Sequence, residues 1–266
     1  MTDPSLFGSL PTSFGLIYAF SMGAIVGSYL NVVIHRVPRG QSTFRPRSRC
    51  GACGSGIAWY DNIPVISYVL LRGRCRRCGT GYSPRYPLVE AFTALLFGAV
   101  FLTFGFTWTT PVAWLFVAIL ISLALIDFEH LLLPDRITLP GLLLGLGASF
   151  VSELTGPFSA GLGALFGALI LLALIAVYYL LRGELGMGLG DPKMLAMIGA
   201  FLGLGKTVTT VFIASLAGTL VSTLLVLARR ADGRTKMPFG VYLAVGALGA
   251  LFFGDQLVES YLNGWR

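Results

Sequence analysis

Charged side chains are what this chain has least of. Asp, Glu, Lys and Arg make up 12% of its 266 residues, and only twelve residues are acidic; a soluble globular protein carries about 25% charged residues. Disordered chains are poor in hydrophobic residues, whereas 55% of this one is hydrophobic and its mean hydropathy is +0.79. A water-soluble enzyme and a disordered protein are therefore both excluded. Four cysteines in so long a chain exclude a small disulfide scaffold, and 34 glycines in 266 residues fall far short of a collagen repeat. What remains is an all-α polytopic membrane protein, in which frequent glycine suits helices that pack closely or bend.

Long apolar runs, by contrast, are plentiful. A spanning helix needs about 20 apolar residues, because the hydrocarbon core is ~30 Å thick and each residue rises ~1.5 Å. Runs of this kind cover residues 14–33, 88–106, 111–126, 137–151, 158–181, 207–228 and 239–257. The first is expected to be retained rather than cleaved as a signal peptide, since Asp3 is the only charged side chain before it. An eighth stretch, residues 193–204, is too short to span unaided; it tilts, thins the bilayer or continues the glycine-rich loop before it. Counting it gives about eight transmembrane segments.

Positive charge is concentrated. Ten of the nineteen basic residues lie between Arg36 and Arg85, all ten are arginines, and the only acid among them is Asp61. Such a block between apolar runs marks a cytoplasmic loop under the positive-inside bias. That bias accounts for the net charge of +7, so the expected surroundings are membrane lipid and no nucleic acid. Arg136, Arg182, Arg229, Arg230, Arg234 and Lys236 fall on the same side. Asp3, Glu153, Lys206, Glu259 and Arg266 fall on the other, and eight crossings put both termini there. The chain thus divides into a first transmembrane helix (1–34), a cytoplasmic module (35–87) and a helical membrane domain (88–266).

All four cysteines lie in the cytoplasmic module, as Cys50-Gly-Ala-Cys53 and Cys75-Arg-Arg-Cys78. Two C-x-x-C pairs at this separation match a four-thiolate zinc site built from two knuckles. Disulfides are the competing reading, and a reducing cytoplasm opposes them. With four protein ligands the metal would be structural, stapling a loop whose core is too small to fold alone. Arg49, Arg74, Arg76 and Arg77 would offset the negative charge of four thiolates around a divalent ion.

Two acids stand where membrane proteins rarely place them. Asp127 ends the apolar run of residues 115–126, and Asp191 follows Gly186-Met-Gly-Leu-Gly190. Ionisable groups in membrane segments are costly and tend to be functional. Two carboxylates facing one another across a bundle share a proton, so that one activates water while the other polarises a carbonyl. Simpler readings stand beside this one: Asp127 as an interfacial acid, and Asp191-Pro192 as an N-cap followed by proline at the first helical position. Asp135 competes for a place in the pair, but Leu133-Pro-Asp-Arg136 reads as a turn and cap opening the next span. Gly188 and Gly190 lack Cβ atoms and let an extended peptide approach the backbone. A nucleotide site at these glycines is weak, because no strand precedes them. His35 and His130 flank membrane ends and read as packing residues.

These residues together resemble the bacterial type IV prepilin peptidases, also called prepilin leader peptidases/N-methyltransferases. The resemblance runs from about Gly23 to Ala244. It rests on Gly27-Ser-Tyr-Leu-Asn-Val-Val-Ile-His-Arg-Val-Pro38, the two cysteine pairs, Asn62-Ile-Pro64, Leu71-Arg-Gly-Arg-Cys75 and Ser83-Pro-Arg-Tyr-Pro-Leu-Val-Glu90. Asp127, Leu132-Leu-Pro-Asp135, Gly186-Met-Gly-Leu-Gly-Asp191 and Pro238-Phe-Gly240 follow in order. The resemblance implies a GxGD-type aspartic peptidase of the bacterial inner membrane. Its substrates would be prepilins and pseudopilins of type IV pilus and type II secretion systems, cut after the glycine that ends a basic leader on the cytoplasmic side. It also implies methylation of the new N-terminal amine by S-adenosylmethionine. Asp127 and Asp191 take the catalytic roles by match of motif, and Cys50, Cys53, Cys75 and Cys78 carry over as the zinc module. Pro192 departs from the family, which more often has an apolar or aromatic residue there. The rival from another class is a transporter using paired carboxylates as a proton relay, which predicts acids at mid-membrane and no zinc knuckle.

Overall fold

A computed structural model describes residues 11–184, 186–228 and 237–263. Asp3, Arg266 and the basic group Arg229, Arg230, Arg234 and Lys236 lie outside the described residues. Within them the chain is helical, as its composition demands, and carries no strand beyond two isolated bridges in the cysteine loop. The helices are α1 (Thr12–Arg36), α2 (Ile66–Leu70), α3 (Arg85–Phe104), α4 (Thr109–His130), α5 (Asp135–Ala148), α6 (Pro157–Arg182), α7 (Gly190–Leu227) and α8 (Phe239–Asn263).

Among the described residues, six helices are long and apolar enough to cross a membrane: α1, α3, α4, α6, α7 and α8. The difference from a count of eight has two physical sources. The run at 137–151 forms α5, only 14 residues long. The runs at 193–204 and 207–228 are consecutive parts of α7, a 38-residue helix interrupted at Gly203. Thirty-eight residues would measure about 57 Å if straight, nearly twice the ~30 Å core. Gly203 has φ 78° and ψ 176°, a conformation that only glycine adopts readily. Local side chains take up the freed backbone groups: the Leu204 N–H donates to Ser159 Oγ at 3.2 Å, and Thr207 Oγ1 donates to Gly203 O at 2.6 Å.

The chain forms two compact units, Met1–Ala118 and Ile119–Arg266, with the boundary inside α4. In the first, α1 lies against α3 through small residues. A Cβ on Gly23 would sit 2.7 Å from Ala94 Cα, and one on Gly27 would sit 2.8 Å from Glu90 Cα. Trp114 of α4 stacks on Phe97 with ring centroids 5.2 Å apart, and its indole N–H donates to Phe97 O at 2.9 Å.

In the second unit the short stretch at 193–204 is the core. Met194, Leu195, Met197, Ile198 and Ala200 are fully buried, so this segment is surrounded by protein and need not match the bilayer thickness. α6 crosses it through Gly163, which faces Gly199 and Gly203, and Gly167, which faces Leu195; the glycines on each helix are spaced as in the GxxxG contacts of membrane helices. A Cβ on Gly163 would lie 2.6 Å from Gly199 O, whereas one on Gly161 would meet nothing within 4 Å. Gly163→Ile is therefore expected to destabilise the protein by about 3 kcal/mol or more, read as a lower unfolding midpoint in detergent. Gly161→Ala on the same helix should leave the midpoint unchanged.

Candidate active site

Three helix ends of the second unit converge on Asp127. α4 carries it in the last turn, and the helix closes when the Leu131 N–H donates to Asp127 O at 2.9 Å. Leu131 itself sits at φ 51° and turns the chain into Leu133-Pro134 and then α5. α8 begins at Phe239, and its second residue, Gly240, donates its N–H to Asp127 Oδ2 at 2.8 Å. Unpaired amides of a helix N-terminus are natural partners for an anionic oxygen.

Asp191 enters from α7. The helix starts one residue earlier, at Gly190, with Leu189 as N-cap and no side-chain cap. The N-cap reading of Asp191-Pro192 is thus corrected: Asp191 belongs to the first turn, and its carboxylate is not spent on capping. Instead it lies beside Gly188, where an added Cβ would come 3.5 Å from Asp191 Oδ2, and within electrostatic reach of Asp127. Asp127 is 5% exposed and Asp191 6%. Leu133 fills the space between the two arms: a Cβ on Gly190 would lie 2.8 Å from Leu133 Cβ, and one on Gly240 would lie 3.2 Å from Leu133 Cδ2.

The other candidates separate from this pair. Asp135 opens α5, is exposed, and forms an ion pair with Lys193 at 2.7 Å, which ties the starts of α5 and α7 together. Gly188 is exposed and open enough that a Cβ would reach only ordinary contact with Asp191 Oδ2, at 3.5 Å. Gly190 is closely packed. Nothing in the sequence alone assigns Gly240 to the site. Its one signal is Pro238-Phe-Gly240 at the start of an apolar run, a place where backbone amides are free to donate.

In the first unit the four cysteines form a second centre. Their sulfurs all lie within 4.8 Å of one another, and all four thiols are free. Each pair makes the same knuckle. Cys50 and Cys75 receive backbone N–H groups two and three residues on, Gly54 and Gly79 follow at φ 67° and 72°, and Ser55 and Thr80 place hydroxyls on Cys53 and Cys78. The N–H groups of Cys78 and Arg77 pull the Cys75 thiol down to about 6, and the Ser55 hydroxyl lowers Cys53. Both favour the thiolate, the form that binds metal. Ligands ~2.3 Å from a tetrahedral zinc are ~3.8 Å from one another, and Cys50 Sγ and Cys78 Sγ are 3.7 Å apart. The cluster could hold a metal ion.

Comparison with known proteins places both centres in one context. A family model described as the bacterial peptidase A24 N-terminal domain matches residues 21–104, and one described as the type IV leader peptidase family matches residues 114–223. The prepilin leader peptidase/N-methyltransferase of Pseudomonas aeruginosa is 39% identical over 91% of each chain. The protein of that name from Aeromonas hydrophila is 39% identical over 94% of each. The one from Myxococcus xanthus is 43% identical over 86% of this chain and 69% of its own. The chain belongs to the type IV leader peptidase family. No solved structure matches it. In this leader peptidase the N-terminal match holds the second half of α1, the cysteine knuckles and α3. The second match holds Asp127 and Asp191 and ends before Gly240.

Proposed function

We propose that this leader peptidase is an aspartic endopeptidase of the bacterial inner membrane that removes the basic leader of prepilins and pseudopilins. The pair Asp127 and Asp191 carries the reaction. The reading is supported above all by the burial of two carboxylates within electrostatic reach of one another, with Asp127 held by the Gly240 amide and neither hydrogen-bonded to a basic side chain among the described residues. One carboxylate takes a proton from water as the water oxygen bonds to the scissile carbonyl carbon. The other gives its proton to the carbonyl oxygen. Collapse of the tetrahedral intermediate breaks the C–N bond and delivers a proton to the leaving nitrogen. Gly188, exposed beside Asp191, leaves room for an extended peptide backbone. Both acids lie at helix ends rather than mid-helix, which suits a scissile bond near the membrane surface better than a proton relay.

The names of the relatives support a second step, methylation of the new N-terminal amine, with S-adenosylmethionine as the methyl-donating substrate. The cysteine cluster holds a structural zinc that fixes the 35–87 module, and residues 88–266 form the peptidase domain. Metal analysis should find about one zinc per chain. Cys75→Ser should lower that content and loosen the 35–87 loop, seen as faster proteolysis there. Full zinc content in the serine variant would remove Cys75 from the ligand set.

Incubating the purified protein with a prepilin, with and without S-adenosylmethionine, tests the function directly. Leader loss in both reactions and a methyl mass increment in one are expected. Placement on the cytoplasmic side is tested separately by Phe128→Cys and Leu189→Cys, both at exposed positions beside the aspartates. With the native thiols protected by zinc, a polar thiol reagent should label both only from the cytoplasm.

A further inference from the structure

Two segments of the cysteine module lie beside the ends of its flanking helices. Tyr29 of α1 donates its hydroxyl to Thr43 Oγ1 at 3.0 Å, and its ring meets that of Phe44 with centroids 6.4 Å apart. Tyr29 lies seven residues before the end of α1 at Arg36, roughly 10 Å back along the helix. The Val65 N–H, at the N-cap of α2, donates to Glu90 Oε2 at 2.7 Å. Glu90 is five residues into α3, roughly 7 Å from its start. The twenty residues of α3 measure about 30 Å, the thickness of the hydrocarbon core. Residues 43–44 and the start of α2 are therefore held at the depth of lipid headgroups and the outer acyl carbons.

These segments present an apolar face at that depth. Phe44 is 82% exposed, and α2 exposes Ile66, Val69 and Leu70 at helical spacing on one face while Ser67 is buried on another. Arg45 and Arg72, next in sequence to Phe44 and just past α2, are exposed, as are Arg47, Arg49, Arg74 and Arg77 of the same module. The single acid of the module, Asp61, is already engaged by Arg76 through contacts of 2.6 to 3.0 Å. The surface is thus apolar and cationic, without a counter-charge of its own. That combination fits an anionic bilayer surface, where apolar side chains enter the interface and each basic residue gains from the lipid charge.

We propose that residues 43–72 are a docking face for anionic phospholipid. Phe44, Ile66, Val69 and Leu70 enter the headgroup–acyl boundary, and Arg45, Arg47 and Arg72 hold lipid phosphates. Docking fixes the module against the leaflet from which α1 and α3 emerge. That this leaflet is the cytoplasmic one rests on the orientation proposed above.

The test uses the full-length protein in nanodiscs of phosphatidylcholine alone or mixed with phosphatidylglycerol. Amide exchange over residues 42–47 and 63–72 should be roughly fivefold slower in the anionic discs. The combined variant Arg45→Gln, Arg47→Gln, Arg72→Gln should lose that difference. A benzoylphenylalanine photoprobe replacing Leu70 should yield phospholipid adducts. Equal exchange in both lipids, or a probe at position 70 that labels no lipid, would overturn the proposal. Nanodiscs offer the same lipids on both faces, so an inverted topology would leave these results intact and appear only in the thiol labelling.

Discussion

Asp127→Asn and Asp191→Asn are each expected to lower prepilin cleavage by about 10³-fold or more, with expression and membrane insertion unchanged. An amide has nearly the shape of a carboxylate, so folding is spared. In the Asp127→Asn variant the side-chain amide would still offer an oxygen to the Gly240 N–H that now reaches Asp127 Oδ2 at 2.8 Å. What the amide lacks is the capacity to take a proton from water or to share one. Because the two groups act as a unit, the double variant should be no slower than either single one. Asp135→Asn supplies the contrast. It breaks an exposed ion pair with Lys193, worth at most about 1 kcal/mol, and should leave most of the activity. Substantial cleavage by either dyad variant would remove that aspartate from the pair.

The sequence exposes Asp127 and Asp191 because each interrupts or borders an apolar run, where an acid needs a reason to be. The cysteine knuckles are legible for a similar reason, since their spacing has few other uses. All eight apolar runs do become helix, but their lengths in sequence do not reveal which meet lipid. Residues 193–204 are as apolar as a span, yet they are buried within the second unit, against α5 at Gly141 and Gly145 and against α6 at Gly163 and Gly167. Only the backbone at Gly203, with φ 78°, separates them from the rest of α7, and one glycine among 34 carries no mark of that role. The start of α7 at Gly190 rather than Pro192 was equally hidden. Capping depends on where the chain arrives from, and here it arrives through Leu189, with Gly190 close against Leu133.

Gly240 was the least legible residue of the site, and it carries the second large effect. Its N–H holds Asp127, and its α-carbon leaves no room for a side chain: an added Cβ would lie 2.8 Å from Asp127 Oδ2 and 3.2 Å from Leu133 Cδ2. Gly240 is not among the positive-φ glycines, so alanine fits the backbone conformation, and the conflict falls on the carboxylate itself. The carboxylate must move by a few tenths of an ångström or more, and small misplacements of a catalytic group cost about 10²-fold in rate. Gly240→Ala should therefore lower kcat for prepilin cleavage by about 10²-fold with little change in KM, because the peptide still binds while the acid that acts on it is displaced. Gly188→Ala should behave in the opposite way. Its Cβ would make only ordinary contact with Asp191, at 3.5 Å, so the dyad stays in place and the loss falls on the approach of the peptide, as a raised KM. Finding both variants defective in KM alone would mean that Gly240 serves the substrate channel rather than the position of Asp127. A Gly240→Ala enzyme of normal kcat would mean that the close approach of the Gly240 α-carbon does not set the geometry of the acid.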